Sequence, residues 1–276
     1  DLAEMDITDK EACDRVITEA NVEAVIHCAA YTAVDAAEDN VDVCMKVNAG
    51  GTRNIAEVCK KPGIKMMYIS TDYVFDGQGT RPWEPDDERH PLNVYGQSKY
   101  EGELAVEELV EKFFTVRIAW VFGVNGKNFI KTMLRIGKER GAASVVDDQI
   151  GSPTYTYDLA RLLVDMIQTD KYGRYHATNE GLCSWYEFAC EIFRAAGIDV
   201  KVTPVHSDEY PAAKAKRPII AGKTDGELKQ FIDGNLKARE PYYSQASITF
   251  DSTDIETAST TESTATRLAN ILTARQ

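Results

Sequence analysis

Apolar residues in the first 150 positions fall into two alternating patterns. Short runs dense in β-branched or aromatic side chains occur at 23–29 (EAVIHCA), 64–70 (IKMMYIS), 114–121 (FTVRIAWV) and 142–147 (AASVVD). Between them, near 9–20, 41–61, 94–112 and 126–140, apolar residues recur at helical spacing. Apolar strands alternating with amphipathic helices predict a parallel sheet covered on both faces, a doubly wound α/β fold. Beyond 150 the rhythm changes to a helix at 155–168, a short strand at 173–177 and a helix at 184–196. The stretch 198–220 holds Pro204, Pro211 and Pro218 with a basic cluster of Lys214, Lys216 and Arg217, and is expected to belong to a smaller lobe. Residues 244–264 contain 11 Ser or Thr in 21 positions, a composition that buries little surface against chain entropy, so disorder is expected there. Residues 265–275 have the pattern of one short helix.

Composition narrows the class. With 43% hydrophobic and 27% charged residues in 276, the chain reads as an ordinary globular protein able to bury a substantial core. The net charge of −13 argues against a nucleic-acid surface, since phosphates are repelled rather than neutralised. No apolar run approaches the roughly 20 residues of a membrane-spanning helix. The opening residues lack a basic segment followed by an apolar one, so a cytoplasmic location is expected. Six cysteines at 13, 28, 44, 59, 183 and 190 include no CxxC pair and are read as reduced thiols. The four histidines are scattered, with only His27 beside a cysteine, so no metal-ligand cluster is visible.

Candidate chemistry centres on Tyr95 and Lys99. An i,i+4 spacing on the predicted helix stacks the two side chains on one face. A phenol titrates near pH 10 in isolation, and a neighbouring ammonium favours its phenolate, bringing it closer to neutrality for acid–base work. The same spacing also suits two exposed residues of a solvated helix. Upstream, the strand at 64–70 runs into Ser70-Thr71-Asp72-Tyr73-Val74-Phe75-Asp76-Gly77. Its hydroxyls stand at the carboxyl end of a parallel strand, where open α/β sheets bind ligands; a turn with local hydrogen bonds is the alternative.

Together these segments resemble a known family. STDYVFDG, PLNVYGQSKYEGE and RIAWVFG are joined in order by DITD at 6–9, HCAAYTAVDAAE at 27–38 and VNAGGTRNIA at 47–56. NFIKTML at 128–134, VVDDQIGSPTYTYDLA at 145–160 and SWYEFACEIF at 184–193 follow. The set, covering roughly residues 4–218, is similar to the dTDP-4-dehydrorhamnose reductases, extended short-chain dehydrogenase/reductases with a Rossmann-like sheet. The resemblance implies reduction of dTDP-4-dehydro-L-rhamnose to dTDP-L-rhamnose by hydride from NADPH or NADH. It implies that Thr71 polarises the 4-keto oxygen, Tyr95 donates the proton, and Lys99 lowers the tyrosine pKa and binds the nicotinamide ribose. Asp6 and Ile7 are implied to border the adenine, and Ala29, Ala30 and Tyr31 to line the cofactor path. Thr32, Val34, Asp72, Tyr73 and Trp120 are implied to contact the sugar nucleotide, with Asn128 and Arg217 as further substrate-site candidates. Arg217 is the candidate partner of the diphosphate. Asp6 can also precede a helix capped by Thr8, Trp120 can be core, and Arg217 can be a solvated loop residue. A divalent metal has been linked to the family, and homodimers are common among such enzymes. The expected domains are a dinucleotide-binding unit over 1–150, a substrate-binding lobe over 151–243 and a tail over 244–276.

Two departures accompany the resemblance. No glycine precedes Gly50, so the first strand and glycine-rich turn that hold a pyrophosphate have no counterpart upstream. Weak dinucleotide affinity and low stability are expected of the chain taken as a whole molecule. After Arg217-Pro218 the match fades into the Ser/Thr-rich tail. The alternative function is a non-catalytic regulatory subunit on the same scaffold, as in methionine adenosyltransferase. Retention of Thr71, Tyr95, Lys99 and the Trp120 motif favours the enzyme.

Overall fold

The computed structural model describes residues 4–209 apart from 62, 79, 80 and 208. Helix α1 (Lys10–Ala20) begins at Asp9, whose carboxylate accepts from Ala12 N at 3.0 Å, and ends at Asn21 in the left-handed region, φ 48°. The cap is therefore Asp9 and not Thr8; Thr8 instead donates its backbone N–H to Asp6 Oδ1 at 2.9 Å. Strand β1 (Ala24–His27) leads to the short α2 (Val34–Ala37). The helical pattern at 41–61 is realised as α3 (Val41–Met45), a π-helical turn (Lys46–Gly51) and α4 (Thr52–Cys59). Strand β2 (Lys65–Thr71) enters a 3-10 turn (Asp72–Val74). Helix α5 (Val94–Leu109) then precedes β3 (Phe113–Ile118) and β4 (Val121–Phe122).

The principal sheet is parallel, in the order β1-β2-β3-β8, with β8 at Gly173–His176. Its strands alternate side chains between two covered faces. Met66 and Tyr68 pack with Cys13 and Ile17 of α1, Ile55 and Val58 of α4, and Val106 of α5. Met67, Phe114 and Val116 point the other way, onto Leu159, Leu162 and Leu163 of α7 (Thr156–Ile167). The predicted Rossmann-like α/β class is the class observed.

The membership of that sheet differs from the sequence expectation. Strand β5 (Ala142–Val146) is not part of it. It pairs in parallel with β10 (Lys201–Val205), a strand hidden in sequence by Pro204. Proline is tolerated on such a two-stranded edge because the missing N–H need not serve a second neighbour. Helices α6 (Phe129–Arg140) and α8 (Trp185–Ala195) pack on this pair, burying Ile130, Met133, Val145, Phe188, Ile192 and Phe193. Two short ladders close the smaller lobe, β6 (Ile150–Gly151) with β9 (Cys183–Ser184) and β4 with β7 (Thr154–Tyr155). The packing therefore does not divide at residue 150. Residues 119–155 and 183–205 build the smaller lobe, whereas α7 and β8 return to the principal sheet. Arg217 and the expected tail over 244–276 lie outside the described residues.

Between α5 and β3 sits a buried ion network. Arg117 bonds Glu103 through Nε at 2.9 Å and Nη2 at 2.8 Å, and Arg89 Nη1 reaches the same carboxylate at 2.8 Å. Arg117 Nη1 also donates to Pro85 O at 2.9 Å, tying the loop before α5 to the sheet. Burial works to raise the Glu103 pKa, but the arginines outweigh it and hold the carboxyl below its ordinary value. No helix among the described residues is long and apolar enough to cross a membrane.

Candidate active site

The carboxyl ends of β1, β2 and β3 converge where α5 begins. Register places Thr71 opposite Ile118, so the β2 end and the turn after β3 share one edge. Helix α5 starts there because Asn93 Oδ1 accepts from Gly96 N at 2.6 Å and Glu38 Oε1 accepts from Val94 N at 2.9 Å. Gly96 is required, since a Cβ at that position would overlap the Tyr73 carbonyl. This close approach seats Tyr95 beside the β2 turn.

Thr71, Tyr95 and Lys99 are brought together there. Thr71 is buried, donates to Asp72 Oδ1 at 3.0 Å and accepts from Tyr73 N at 3.2 Å. The Tyr95 phenol faces the Thr71 side chain, which favours its ionised form, and its ring meets Tyr73 edge-on at 5.7 Å. Lys99 is 2% exposed; its Nζ donates to Ile69 O at 2.8 Å and lies 4.1 Å from the Tyr68 ring centre. Burial lowers the Lys99 pKa to about 7. Desolvation pushes the Tyr95 phenol above its ordinary value, and the nearby Thr71 side chain offsets only part of this. The i,i+4 spacing to Lys99 predicts the opposite shift. Desolvation is the largest cause of the rise, and the Lys99 ammonium is turned to the Ile69 carbonyl.

Asn48 is a positioning residue that sequence reasoning missed. It is 1% exposed, within the π-helical turn, and grips both backbone groups of Tyr31: Tyr31 N donates to Oδ1 at 2.7 Å and Nδ2 donates to Tyr31 O at 3.0 Å. Nδ2 also reaches Ser98 Oγ at 2.9 Å, and Ser98 Oγ donates to Tyr95 O at 2.7 Å. One buried amide thus ties the segment after β1 to the helix turn bearing Tyr95. The signal available in sequence was a polar Asn beside Gly50-Gly51 in an otherwise helical stretch.

The remaining predicted residues divide. Ala29 and Thr32 are exposed, and Ala30, Tyr31 and Val34 half-buried, on the path leaving β1. Asp72 and Tyr73 are exposed beside Thr71. Trp120, half-buried, stands just past β3 and interrupts the strand expected over 114–121, because its φ of 49° ends the ladder. The Ile7 side chain is buried in the core against Gly51, and its carbonyl accepts from Asn54 Nδ2 at 2.9 Å. Asn128 is the N-cap of α6, with Oδ1 accepting from Lys131 N at 3.1 Å and Nδ2 donating to Gly123 O at 2.7 Å, so its amide serves the fold rather than a substrate. Among the described residues no three His, Cys, Asp or Glu are grouped to hold a metal ion.

The donor set suits the nicotinamide-ribose end of a dinucleotide. A buried ammonium and a phenol share the carboxyl edge, and the segment leaving β1 carries the small side chains of Ala29 and Ala30. Comparison with known proteins agrees. Residues 1–234 match the RmlD substrate binding domain. The chain is 40% identical over 230 residues to dTDP-4-dehydrorhamnose reductase of Aggregatibacter actinomycetemcomitans, covering 79% of this chain and 78% of that one. It is 44% identical over 216 residues to the Mycobacterium tuberculosis dTDP-4-dehydrorhamnose reductase, covering 76% and 70%. The crystal structure of the Bacillus anthracis dTDP-4-dehydrorhamnose reductase in complex with NADP superposes with a TM-score of 0.74 at 47% identity, over 76% of each chain.

Proposed function

The chain belongs to the RmlD substrate binding domain family, and from that premise we propose that it is the reductase of a dTDP-linked 4-keto sugar, converting dTDP-4-dehydro-L-rhamnose to dTDP-L-rhamnose. It is an NADP-linked oxidoreductase of dTDP-rhamnose biosynthesis, and none of the relatives named above supports the regulatory alternative. The observation that carries the reading is the meeting of Thr71, Tyr95 and Lys99 at the carboxyl edge of β2.

When bound, the dihydronicotinamide supplies a hydride to C4 of the sugar. Thr71, turning its hydroxyl from Asp72, gives a hydrogen bond to the 4-keto oxygen and helps hold the alkoxide charge as it develops. Tyr95 supplies the proton that completes the new hydroxyl. Its raised pKa keeps the phenol protonated near neutrality, the state a proton donor needs. The phenolate left behind is stabilised by Lys99, four residues along α5. Ala29, Ala30, Tyr31, Asp6 and the main chain at Ile7 are assigned to the cofactor path. Thr32, Val34, Asp72, Tyr73 and Trp120 are assigned to the sugar nucleotide, with Arg217 as the partner of its diphosphate. We place the protein in the cytoplasm, where six unpaired cysteines remain reduced.

The test is NADPH oxidation with dTDP-4-dehydrorhamnose, comparing the parent with Tyr95→Phe. The substitution is expected to lower kcat by about 10²–10⁴-fold, the range for losing a positioned proton donor. An unchanged rate removes Tyr95 from this role.

A further inference from the structure

We infer that Trp185, Gly151 and Thr154 are positioning residues that hold Trp120 in the one conformation that meets the sugar nucleotide. The inference rests on the substrate reading above and deepens it. Trp120 has a φ of 49°, a region that bulky side chains avoid unless their surroundings over-determine it. The only other non-glycine residue with positive φ among those described is Asn21, a helix C-cap for which that conformation is ordinary.

The surroundings of Trp120 supply the constraint on three sides. Trp185 stacks on its ring with centroids 3.5 Å apart and an interplanar angle of 13°. A Cβ built on Gly151 would stand 2.7 Å from Trp120 Cε2, 2.9 Å from Cζ2 and 3.1 Å from Nε1. Cε2 is a ring-fusion atom set back from the perimeter, so an approach closest to it comes over the face rather than the edge. Trp185 already covers one face; Gly151 therefore covers the other, and only glycine leaves room. Thr154, 2% exposed, holds the backbone of the turn: its N–H donates to Trp120 O at 3.2 Å and its Oγ1 donates to Ala119 O at 2.6 Å.

The elements that deliver these groups are distant in sequence. The β6–β9 ladder sets Gly151 opposite Cys183, and Trp185 follows two residues later at the start of α8. A capping box fixes that start: Glu187 N donates to Ser184 Oγ at 3.0 Å and Ser184 N donates to Glu187 Oε2 at 2.7 Å. Phe129 of α6 packs against Trp185, centroids 4.5 Å apart. Trp120 itself lies two residues beyond Ile118, the partner of Thr71 in the ladder. The smaller lobe thus reaches the catalytic edge through a clamped indole, and Trp185 acts on the sugar through Trp120.

The test uses the full chain and the variants Trp185→Phe, Trp185→Leu and Gly151→Ala. Stacked indoles give an exciton couplet in circular dichroism, which reports the pair independently of turnover. Calorimetric titration with dTDP-L-rhamnose reports sugar-nucleotide affinity, and steady-state kinetics separates the KM of dTDP-4-dehydrorhamnose from that of NADPH. Trp185→Leu and Gly151→Ala are expected to lose the couplet and to weaken dTDP-L-rhamnose binding by about tenfold, the scale of one aromatic contact. The KM of the keto sugar should rise in step, that of NADPH should hold, and Trp185→Phe should recover most of the affinity. A lost couplet with unchanged sugar affinity overturns the inference. So does an equal rise in the KM of NADPH, or loss of cooperative melting even in Trp185→Phe, because either marks a general structural role. Failure of the parent chain to bind dTDP-L-rhamnose is a separate result, which removes the substrate reading and the inference together.

Discussion

The two halves of α5 treat buried charge in opposite ways. Toward its N-terminus Lys99 is 2% exposed, bonded to the Ile69 carbonyl and seated over the Tyr68 ring. One turn later Glu103 is fully buried but held by Arg117 and Arg89. Burial dominates at Lys99 and lowers its pKa to about 7, whereas the arginines prevail at Glu103 and keep it ionised. A compensated charge serves as a clamp between helix, strand and the loop at Pro85. An ammonium left with a carbonyl and a ring remains responsive to whatever charge next arrives, which is what the role proposed for Lys99 requires.

The sharpest test of this contrast is Lys99→Met. Turnover is expected to fall by about 10²–10⁴-fold, while the denaturant midpoint rises because a poorly compensated buried charge is gone. A fall in both would place Lys99 with the clamps. Glu103→Gln should behave in the reverse sense, destabilising the chain by about 3–5 kcal/mol by stranding Arg117, with KM values of the folded fraction little changed. Denaturant unfolding measures the first and steady-state kinetics the second.

A third effect is expected in pH. The folded Lys99 pKa of about 7 lies below the ordinary 10.5. Between those values the unfolded chain binds more protons than the folded one, so raising the pH favours folding. The stabilisation is complete above about pH 10.5 and lost as pH falls to about 7, and Lys99→Met should flatten this limb of a stability–pH curve. The smallest effect is expected of Asn93→Ala, which removes the α5 cap to Gly96 N and should cost about 1 kcal/mol in a denaturant melt. A cost of several kcal/mol would mean that the N-terminal turn is coupled to the ion network.

Much of the site was legible because it is local. Tyr95 and Lys99 are one helical turn apart, and Thr71 ends the apolar run that forms β2, so spacing alone brings these three candidate residues to one edge. The strands were harder to sort. The runs at 142–147 and 173–177 are both short, and nothing within either says that 173–176 joins β3 while 142–146 joins β10. Pro204 disguised β10, and helical periodicity could not announce that Asn48 would face inward with Tyr31 and Ser98 as partners. Asn128 and Ile7 resembled ligand residues by position, and their side chains went to a helix cap and a core.

By itself, the sequence determined the alternation of strands and helices and the placing of Thr71, Tyr95 and Lys99 near one edge, which follow from residue type at short, regular spacing, while the ordered motifs carried the resemblance to the family. Only the tertiary structure decided which strands share a sheet, how Trp120 is clamped, and that Tyr95 titrates above rather than below its ordinary value. Pairing, stacking and desolvation are set by segments far apart in the chain, whose contacts exist only once it has folded.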